Sequence, residues 1–483
     1  MLFISYEFLI FLPIVFLLYW FVFRNRRCQN LLVVIASYVF YGWWDWRFLF
    51  LIAFTSLCSF SSGLLLGYYE GHRKWQKYIS AFNIVVNLAI LGIFKYYNFF
   101  AENIDALLVS LFNYHLDWVT LKIILPVGIS FYTFQALSYT IDVYQKKIPA
   151  TRDIIEFFAY ISFFPQLVAG PIERATNLLP QFQRSRSFDY AKAVDGCRQM
   201  LWGFLKKIVI ADNCANIVDY YWETNLSGVS LFLLGVLFTF QIYCDFSGYS
   251  DIAIGCARLF GFNLMRNFNY PYFSRSIPEF WRRWHISLTT WFRDYIYFPL
   301  GGSRCEKWKT IRNVYIVWGI SGLWHGANWT FVFWGLYHAT LLAFYNLLGI
   351  NTKNKNVVAY GHTLPNFREI FQLVLTFIFA VIGWIIFRAE NLTQACEYLS
   401  GMIHNKFYDS SELYGKICLV YCFLLIIVEW VQRNKQHALQ FSNTNVFKYK
   451  MVRWGVYVFL LSAIYISYMV NIEDDNQFIY FQF

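Results

Sequence analysis

The histidines that lie within apolar sequence are the residues of this chain best suited to chemistry. His325 occurs in the stretch SGLWHGANW and is followed by an apolar run from Phe331 to Leu348. Apolar surroundings disfavour the imidazolium cation, so a histidine there tends to be neutral near pH 7 and able to accept a proton. We therefore predict catalysis or proton handling at His325, with an inter-helix hydrogen bond as the structural alternative.

His338 lies further along the same apolar run. It follows His325 by 13 residues (338 minus 325), which at about 100° per residue places it on nearly the opposite face of a continuous helix. We expect it to bond a neighbouring helix. Small residues flank His325 and would let another backbone or a thin ligand approach, as in the wall of a tunnel: Ser321, Gly322, Gly326 and Ala327.

The composition indicates that these histidines belong to a polytopic membrane protein. Of 483 residues, 58% are hydrophobic and 14% charged, beyond what a soluble domain shows. Apolar segments near the length of about 20 residues that crosses hydrocarbon occur at about 8–23, 31–66, 79–97, 121–144, 200–222, 229–246, 311–349, 368–388, 412–431 and 452–471. Because the longer segments have room for two spans, we predict an all-α membrane domain over residues 1–471 with roughly 11 or 12 crossings.

The distribution of basic residues predicts the orientation. Arg24, Arg26 and Arg27 follow the first apolar segment, and basic residues mark cytoplasmic loops. We therefore expect both termini on the extracytoplasmic side of the membrane, with residues 472–483 as an extracytoplasmic tail. The net charge of +11 then belongs mostly to loops that face lipid headgroups and cytosol, and nucleic acid is not an expected partner.

The longest non-spanning region, about 263–310, combines aromatic and basic residues. Its stretch SIPEFWRRWHISLTTWFRDYIYFPLGGSR contains Arg282, Arg283 and His285. Such a composition is typical of a helix lying in the membrane interface. The functional alternative is that the guanidinium groups receive a polyanionic cytosolic ligand.

A polar group interrupts the apolar segment that precedes this region. Asp245, Ser247, Ser250 and Asp251 lie within a few residues of one another, and they either line a cavity or form a helix-packing network. The ten cysteines are scattered and form no set with metal-ligand spacing, so we predict no metal site.

Five ordered blocks of the sequence resemble the membrane-bound O-acyltransferase (MBOAT) family, in particular its bacterial branch that modifies alginate, peptidoglycan and teichoic acid. The blocks are LPVGISFYTFQALSYTIDVY, FFPQLVAGPIERA, FQIYCDFSGYSDIAIGCARLFGF, WRRWHISLTTWFRDYIYFPLGG and SGLWHGANWTFVFWGLYHA. The resemblance implies a ring of tilted helices, with re-entrant and interfacial helices, around a central tunnel. It also implies that His325 is the catalytic histidine and His285 the second histidine of this branch.

Acyl transfer from a thioester to a hydroxyl needs a base for the hydroxyl proton and exclusion of water. His325 is suited to the first task and the surrounding tryptophans to the second. Candidate donors to the developing oxyanion are His285, Asn328 and the indole N–H of Trp324.

The resemblance further implies acetyl-CoA as donor, with no permanently bound cofactor. Arg282 and Arg283 would contact its phosphates, and Asp245 and Ser247 would line the substrate path. The acceptor is alginate, another exopolysaccharide or peptidoglycan, reached through an extracytoplasmic esterase-like transferase, because the chain contains no GxSxG motif of its own. Membrane lipid is the remaining partner. The alternatives are a teichoic-acid D-alanyl transferase, which uses a carrier protein as donor, and a non-catalytic acyl or lipid transporter.

The tail ends in FIYFQF. Its aromatic residues either anchor the end of the chain at the membrane interface or dock it in the mouth of the tunnel or on the partner. In the second case Tyr480 would attack the thioester and carry the acetyl group outward as an ester. This resembles the terminal tyrosine motif of D-alanylation and O-acetylation systems.

Overall fold

The computed structural model describes residues 1–116, 121, 125–168, 170–350, 356–409, 415–441, 448–471 and 478–479, and these contain helices, turns and no strand. The first ten α-helices are α1 (Tyr6–Leu17), α2 (Arg26–Gly42), α3 (Leu49–Tyr68), α4 (Arg73–Leu91), α5 (Tyr97–Phe112), α6 (Ile129–Tyr144), α7 (Ile154–Ser162), α8 (Phe164–Leu167), α9 (Ala175–Gln183) and α10 (Tyr190–Phe204). The next ten are α11 (Asp212–Tyr221), α12 (Gly228–Leu259), α13 (Ile277–Arg283), α14 (Ile286–Phe292), α15 (Lys307–His325), α16 (Trp329–Leu347), α17 (Phe367–Arg388), α18 (Leu392–His404), α19 (Lys416–Val431) and α20 (Lys450–Val470).

Several of these helices are long and apolar enough to cross a membrane. Within the described ranges there are five such segments: Trp46–Tyr68, Arg73–Phe112, Gly228–Leu259, Phe367–Arg388 and Lys450–Val470. The prediction of an all-α polytopic membrane protein is thus confirmed, whereas the count of 11 or 12 crossings stays a prediction.

The first of two compact units comprises residues 1–194 and 256–265. Its helices are joined by buried polar contacts as well as by aromatic packing. Asn83 on α4 donates to Ser59 on α3 at 3.2 Å and accepts from Thr140 on α6 at 2.9 Å. Because buried amides are costly when unsatisfied, these contacts favour one arrangement of the three helices.

The second unit comprises residues 195–255 and 266–483 and contains every predicted site residue. Its central feature is the hairpin of α15 and α16, whose backbones pack closely at two glycines. A Cβ atom at Gly322 would overlap the carbonyl oxygen of Phe331, and one at Gly335 would overlap that of Trp318. Gly322 therefore permits close approach of another backbone, as predicted, whereas its part in a tunnel wall stays a prediction.

The basic aromatic segment is not one interfacial helix. Helices α13 and α14 are each seven residues long, and they are separated at Trp284 and His285. His285 has φ 43°, in the left-handed region that residues other than glycine seldom adopt. Strain of this kind persists only where the surroundings fix it, and it is common at functional sites.

Candidate functional site

His325 is the last residue of α15, at the turn of the hairpin. Gly326 has an extended backbone, and the side chain of Asn328 caps α16 by accepting a hydrogen bond from the amide of Thr330 at 3.0 Å. The glycine and the cap end one helix and begin the next within three residues. Since the helix is interrupted here, the prediction that His338 lies on the opposite face of one continuous helix is wrong.

Aromatic side chains surround His325. Its ring centroid lies 5.0 Å from Trp324, 5.0 Å from Trp334 and 5.3 Å from Phe387. The side chain is buried, with 5% of the residue exposed. These contacts hold the imidazole in a buried and largely aromatic environment, which limits its contact with water.

The hydrogen bonds of His285 determine its tautomer. Asn267 Oδ1 accepts from the backbone N–H of Ser287 at 3.3 Å, which orients the amide. The same oxygen lies 3.1 Å from His285 Nδ1, so Nδ1 carries the proton and Nε2 the lone pair of the neutral ring. Burial lowers the pKa of His285, which lies outside the candidate spans, to about 3. The neutral ring thus accepts at Nε2, and oxyanion donation from Nε2 would require its protonation.

Both histidines line one cavity of about 240 Å³. Its other lining residues are mostly aromatic or aliphatic, among them Trp284 and Trp318. Trp324 lies between the histidines, with its ring centroid 6.1 Å from that of His285 and 5.0 Å from that of His325. The structure therefore brings three of the predicted site residues together.

Two arginines also line this cavity. Arg282 and Arg293 are exposed, whereas the histidines are buried, so the cavity has a cationic exposed part and a buried part with two imidazoles. Arg293 pairs with Asp294 at 2.7 Å. Sequence reasoning included Arg293 in the basic segment but did not select it as a ligand contact.

Arg283 differs from its neighbour Arg282. Its guanidinium donates to Glu279 Oε1 at 2.8 Å and to the carbonyl oxygen of Asn269 at 3.3 Å, and the residue is buried. The structure thus places Arg283 in the framework that holds α13. This is a correction to the prediction that both arginines contact the phosphates of the donor.

Asn328 also has a structural position. Besides capping α16, it donates from Nδ2 to the carbonyl oxygen of Glu390 at 2.8 Å. Both polar atoms of its amide are therefore engaged in joining the hairpin to the end of α17. The structure thus places Asn328 in the helix framework, and its role as an oxyanion donor stays a prediction.

His338 is a framework residue, as the inter-helix interpretation predicts. Its Nδ1 accepts from the indole N–H of Trp281 on α13 at 3.3 Å, and it is buried. A Cβ atom at Gly383 would lie only 2.7 Å from His338 Nε2, so α17 approaches the imidazole closely. His338 therefore joins α16 to two neighbouring elements.

The polar group near Asp245 is part of a larger buried cluster. Lys206 donates to Ser247 at 2.8 Å and pairs with Asp251 at 2.6 Å, while Lys207 pairs with Asp245 at 2.8 Å. The two lysines lie on a π-helical turn, Leu205–Ala211, between α10 and α11. Sequence reasoning missed them, although two adjacent lysines within an apolar segment are a signal. Ser247 is thereby assigned to a packing network.

Two residues of the tail, Phe478 and Ile479, contact this cluster. Ile479 donates its backbone N–H to Asp245 Oδ2 at 2.7 Å, and Phe478 packs on Tyr249 with centroids 4.3 Å apart. Both tail residues are buried, so Phe478 does not anchor the chain at a lipid interface. Tyr480 lies outside the described residues.

Comparison with known proteins agrees with this architecture. A sequence profile of the MBOAT, membrane-bound O-acyltransferase family, matches residues 35–387. The probable alginate O-acetylase AlgI of Pseudomonas aeruginosa is 42% identical over 405 residues, covering 84% of this chain and 75% of that protein. The peptidoglycan O-acetyltransferase of Helicobacter pylori is 32% identical, covering 89% of each chain. The teichoic acid D-alanyltransferase of Bacillus subtilis is 29% identical over 285 residues, covering 55% of this chain and 69% of that protein.

The profile covers all of α15 and α16 and the segment between α12 and α15, so it includes both histidines and the cavity that they line. Together with the extent of the similarity to whole relatives, this shows the family without recourse to single motifs. The chain is a multi-pass membrane protein of the membrane-bound O-acyltransferase family and is an O-acyltransferase.

Proposed function

We propose that this enzyme takes an acetyl group from acetyl-CoA at the cytosolic face of a bacterial inner membrane and passes it outward for O-acetylation of an extracytoplasmic polysaccharide. The observation that carries the proposal is the cavity with His285 and His325 in its buried part and Arg282 and Arg293 in its exposed part. The printed names of the relatives, an alginate O-acetylase and a peptidoglycan O-acetyltransferase, support acetyl as the group and a polysaccharide as the acceptor.

The size of the cavity supports a short acyl group. Pockets that enclose drug-sized ligands hold about 300–1,000 Å³, and this cavity has about 240 Å³. It has room for an acetyl thioester and part of its arm, but not for the nucleotide of acetyl-CoA as well. The nucleotide phosphates would stay outside, where Arg282 and Arg293 supply cationic donors.

The chemistry assigns one proton movement. The acceptor hydroxyl gives its proton to the lone pair of His325 as its oxygen attacks the thioester carbonyl. The carbon–sulfur bond breaks, and the proton passes to the thiolate of CoA, so the base is regenerated. The aromatic contacts of His325 exclude the water that would otherwise hydrolyse the thioester.

Tyr480 is the acceptor that we propose for this first transfer. Support comes from the two residues that precede it, since Phe478 and Ile479 are buried in the unit that contains the cavity. Phe478 also lies 5.9 Å from Phe246, whose ring centroid is 4.6 Å from that of His285. The aryl ester would then pass its acetyl group to a hydroxyl of an extracytoplasmic esterase-like partner, which re-forms the phenol.

The test uses purified protein in liposomes with acetyl-CoA labelled in the acetyl group. We expect an acetyl adduct on the C-terminal peptide of the wild type in the absence of partner and acceptor, and none in Tyr480→Phe or His325→Ala. Label that appears on another residue, or release of acetate alone, would contradict the relay. Label only from a D-alanyl carrier protein, and not from acetyl-CoA, would favour the D-alanyl transferase alternative.

A further inference from the structure

Asp245 is the residue through which the tail contacts the buried ion cluster. Asp245 divides its two oxygens between two partners, with Oδ1 2.8 Å from Lys207 Nζ and Oδ2 accepting from the backbone N–H of Ile479 at 2.7 Å. Lys207 also pairs with Asp212 at 2.8 Å. Two carboxylates thus share one ammonium group, and the buried triad carries one excess negative charge when all three groups are ionised. A hydrogen-bond donor at Oδ2 stabilises this buried carboxylate.

The tail supplies that donor from its backbone, and an aromatic ring fixes the segment beside it. Phe478 is 0% and Ile479 2% exposed. Phe478 packs against Tyr249, one helical turn after Asp245 on α12, with ring centroids 4.3 Å apart. The carboxylate and the aromatic surface therefore lie on one face of the same helix, four residues apart.

We propose that Asp245, held by Lys207, and the aromatic face of Tyr249 and Phe246 form an internal binding site for the C-terminal tail. The site recognises one backbone N–H and one aromatic side chain, so it fixes the register of the tail at Phe478 and Ile479. Asp245 is in this view a positioning residue and makes no contact with the reacting atoms. The inference rests on the proposed function only in its last step, that a tail held in this register presents Tyr480 for acetylation.

Two independent contacts hold the same segment, so loss of either should release the same amide. We expect the amide hydrogen of Ile479 to exchange with deuterium about ten-fold faster, or more, in Asp245→Val and in Phe478→Ala than in the wild type. A lost hydrogen bond to a charged acceptor or a lost aromatic contact shifts a docking equilibrium by at least that order. The measurement is hydrogen–deuterium exchange of the full-length protein, read by mass spectrometry on a peptic fragment spanning residues 470–483.

Matched variants separate docking from general damage. Asp245→Asn keeps an acceptor oxygen and Phe478→Leu keeps an apolar side chain, so both should retain slower exchange than Asp245→Val and Phe478→Ala. Phe478→Ala alters only the tail, which keeps the test valid even if Asp245→Val fails to fold. An Ile479 amide that exchanges equally fast in the wild type and in Phe478→Ala would overturn the inference.

The same variants distinguish this inference from the relay. If Phe478→Ala releases the tail and polymer acetylation also falls, both stand. If it releases the tail while acetylation stays at the wild-type level, the binding site stands and the Tyr480 relay fails. If acetylation falls while exchange of the Ile479 amide is unchanged, the tail binding site is wrong and Phe478 acts elsewhere.

Discussion

The cavity and the lysine–carboxylate cluster are both buried and both contain ionisable groups, but they are built on opposite principles. In the cavity, two imidazoles lie among aromatic rings, and the arginines that line it are exposed. In the cluster, Lys206 and Lys207 are each paired with carboxylates at 2.6–2.8 Å. Phe246 links the two regions, because its ring contacts both His285 and Phe478.

This difference distinguishes groups that can take part in a reaction from groups that hold the structure in place. Removal of one partner from a buried network of paired charges costs several kcal/mol, so such a network suits fixed geometry. An imidazole among aromatic rings can exchange a proton without breaking an ion pair, so it suits a reaction. On this comparison, substitutions of the two buried imidazoles should change turnover, whereas substitutions in the cluster should change stability or the docking of the tail.

The largest expected effect on turnover is at His325. His325→Ala removes the proposed base, and we expect acetyl transfer to fall by roughly 10²–10⁴-fold while the protein inserts and purifies normally. The measurement is transfer from labelled acetyl-CoA by purified protein in liposomes. Activity above about a tenth of the wild type would show that the base is another group.

His285→Ala should have the next largest effect, about 10²-fold in turnover, because the second imidazole of the cavity is lost. Its matched control is Asn267→Ala, which keeps the imidazole but removes the oxygen that fixes Nδ1 as the protonated atom. We expect the control to lower turnover less than His285→Ala does. Equal turnover in His285→Ala and in the wild type would assign His285 to the framework, together with His338.

The general architecture and the two histidines could be predicted from the sequence, whereas the surroundings of the histidines could not. Apolar segment length predicted an all-α membrane protein, and the resemblance to the family selected His285 and His325 together. The sequence could not show that His285 adopts a positive φ between two short helices, since neighbouring side chains and Asn267 fix that conformation. Such strain is stored by tertiary contacts and leaves no periodic signal.

The sequence also could not distinguish the roles of neighbouring residues of the same type. Arg282 and Arg283 are adjacent on α13, where successive residues point about 100° apart, so one lines the cavity and the other meets Glu279. No composition argument distinguishes them. The capping role of Asn328 could have been predicted, because an asparagine directly before an apolar helical run is a typical N-cap.

The two arginines provide the third prediction. Arg282→Glu should raise the acetyl-CoA concentration for half-maximal rate about ten-fold with little change in limiting rate, because a charge-assisted contact to phosphate is lost. Arg283→Met should instead lower stability by about 2 kcal/mol, because Glu279 loses one of two arginine partners and keeps Arg275. Kinetics and thermal unfolding of both variants in one detergent separate the effects. If folded Arg283→Met instead needs a higher acetyl-CoA concentration for half-maximal rate, Arg283 contacts the donor.

The smallest expected effect concerns Asn328, which lies three residues after His325 yet engages both of its polar atoms in structure. Asn328→Ala removes the cap of α16 and the bond to Glu390, so we expect a loss of about 1 kcal/mol in unfolding free energy. Asn328→Asp separates the two contacts, because its carboxylate still accepts from Thr330 but cannot donate to the carbonyl oxygen of Glu390, so it should recover only the part of the loss that is due to the cap. Turnover per folded molecule should stay within about two-fold of the wild type in both, since a lost oxyanion donor would cost about 10²-fold or more. A large fall in turnover at unchanged melting temperature would mean that Asn328 contacts the reacting group. The turn that contains His325 would then hold a second residue that takes part in the reaction, and structural contacts would not distinguish framework residues from reacting ones there.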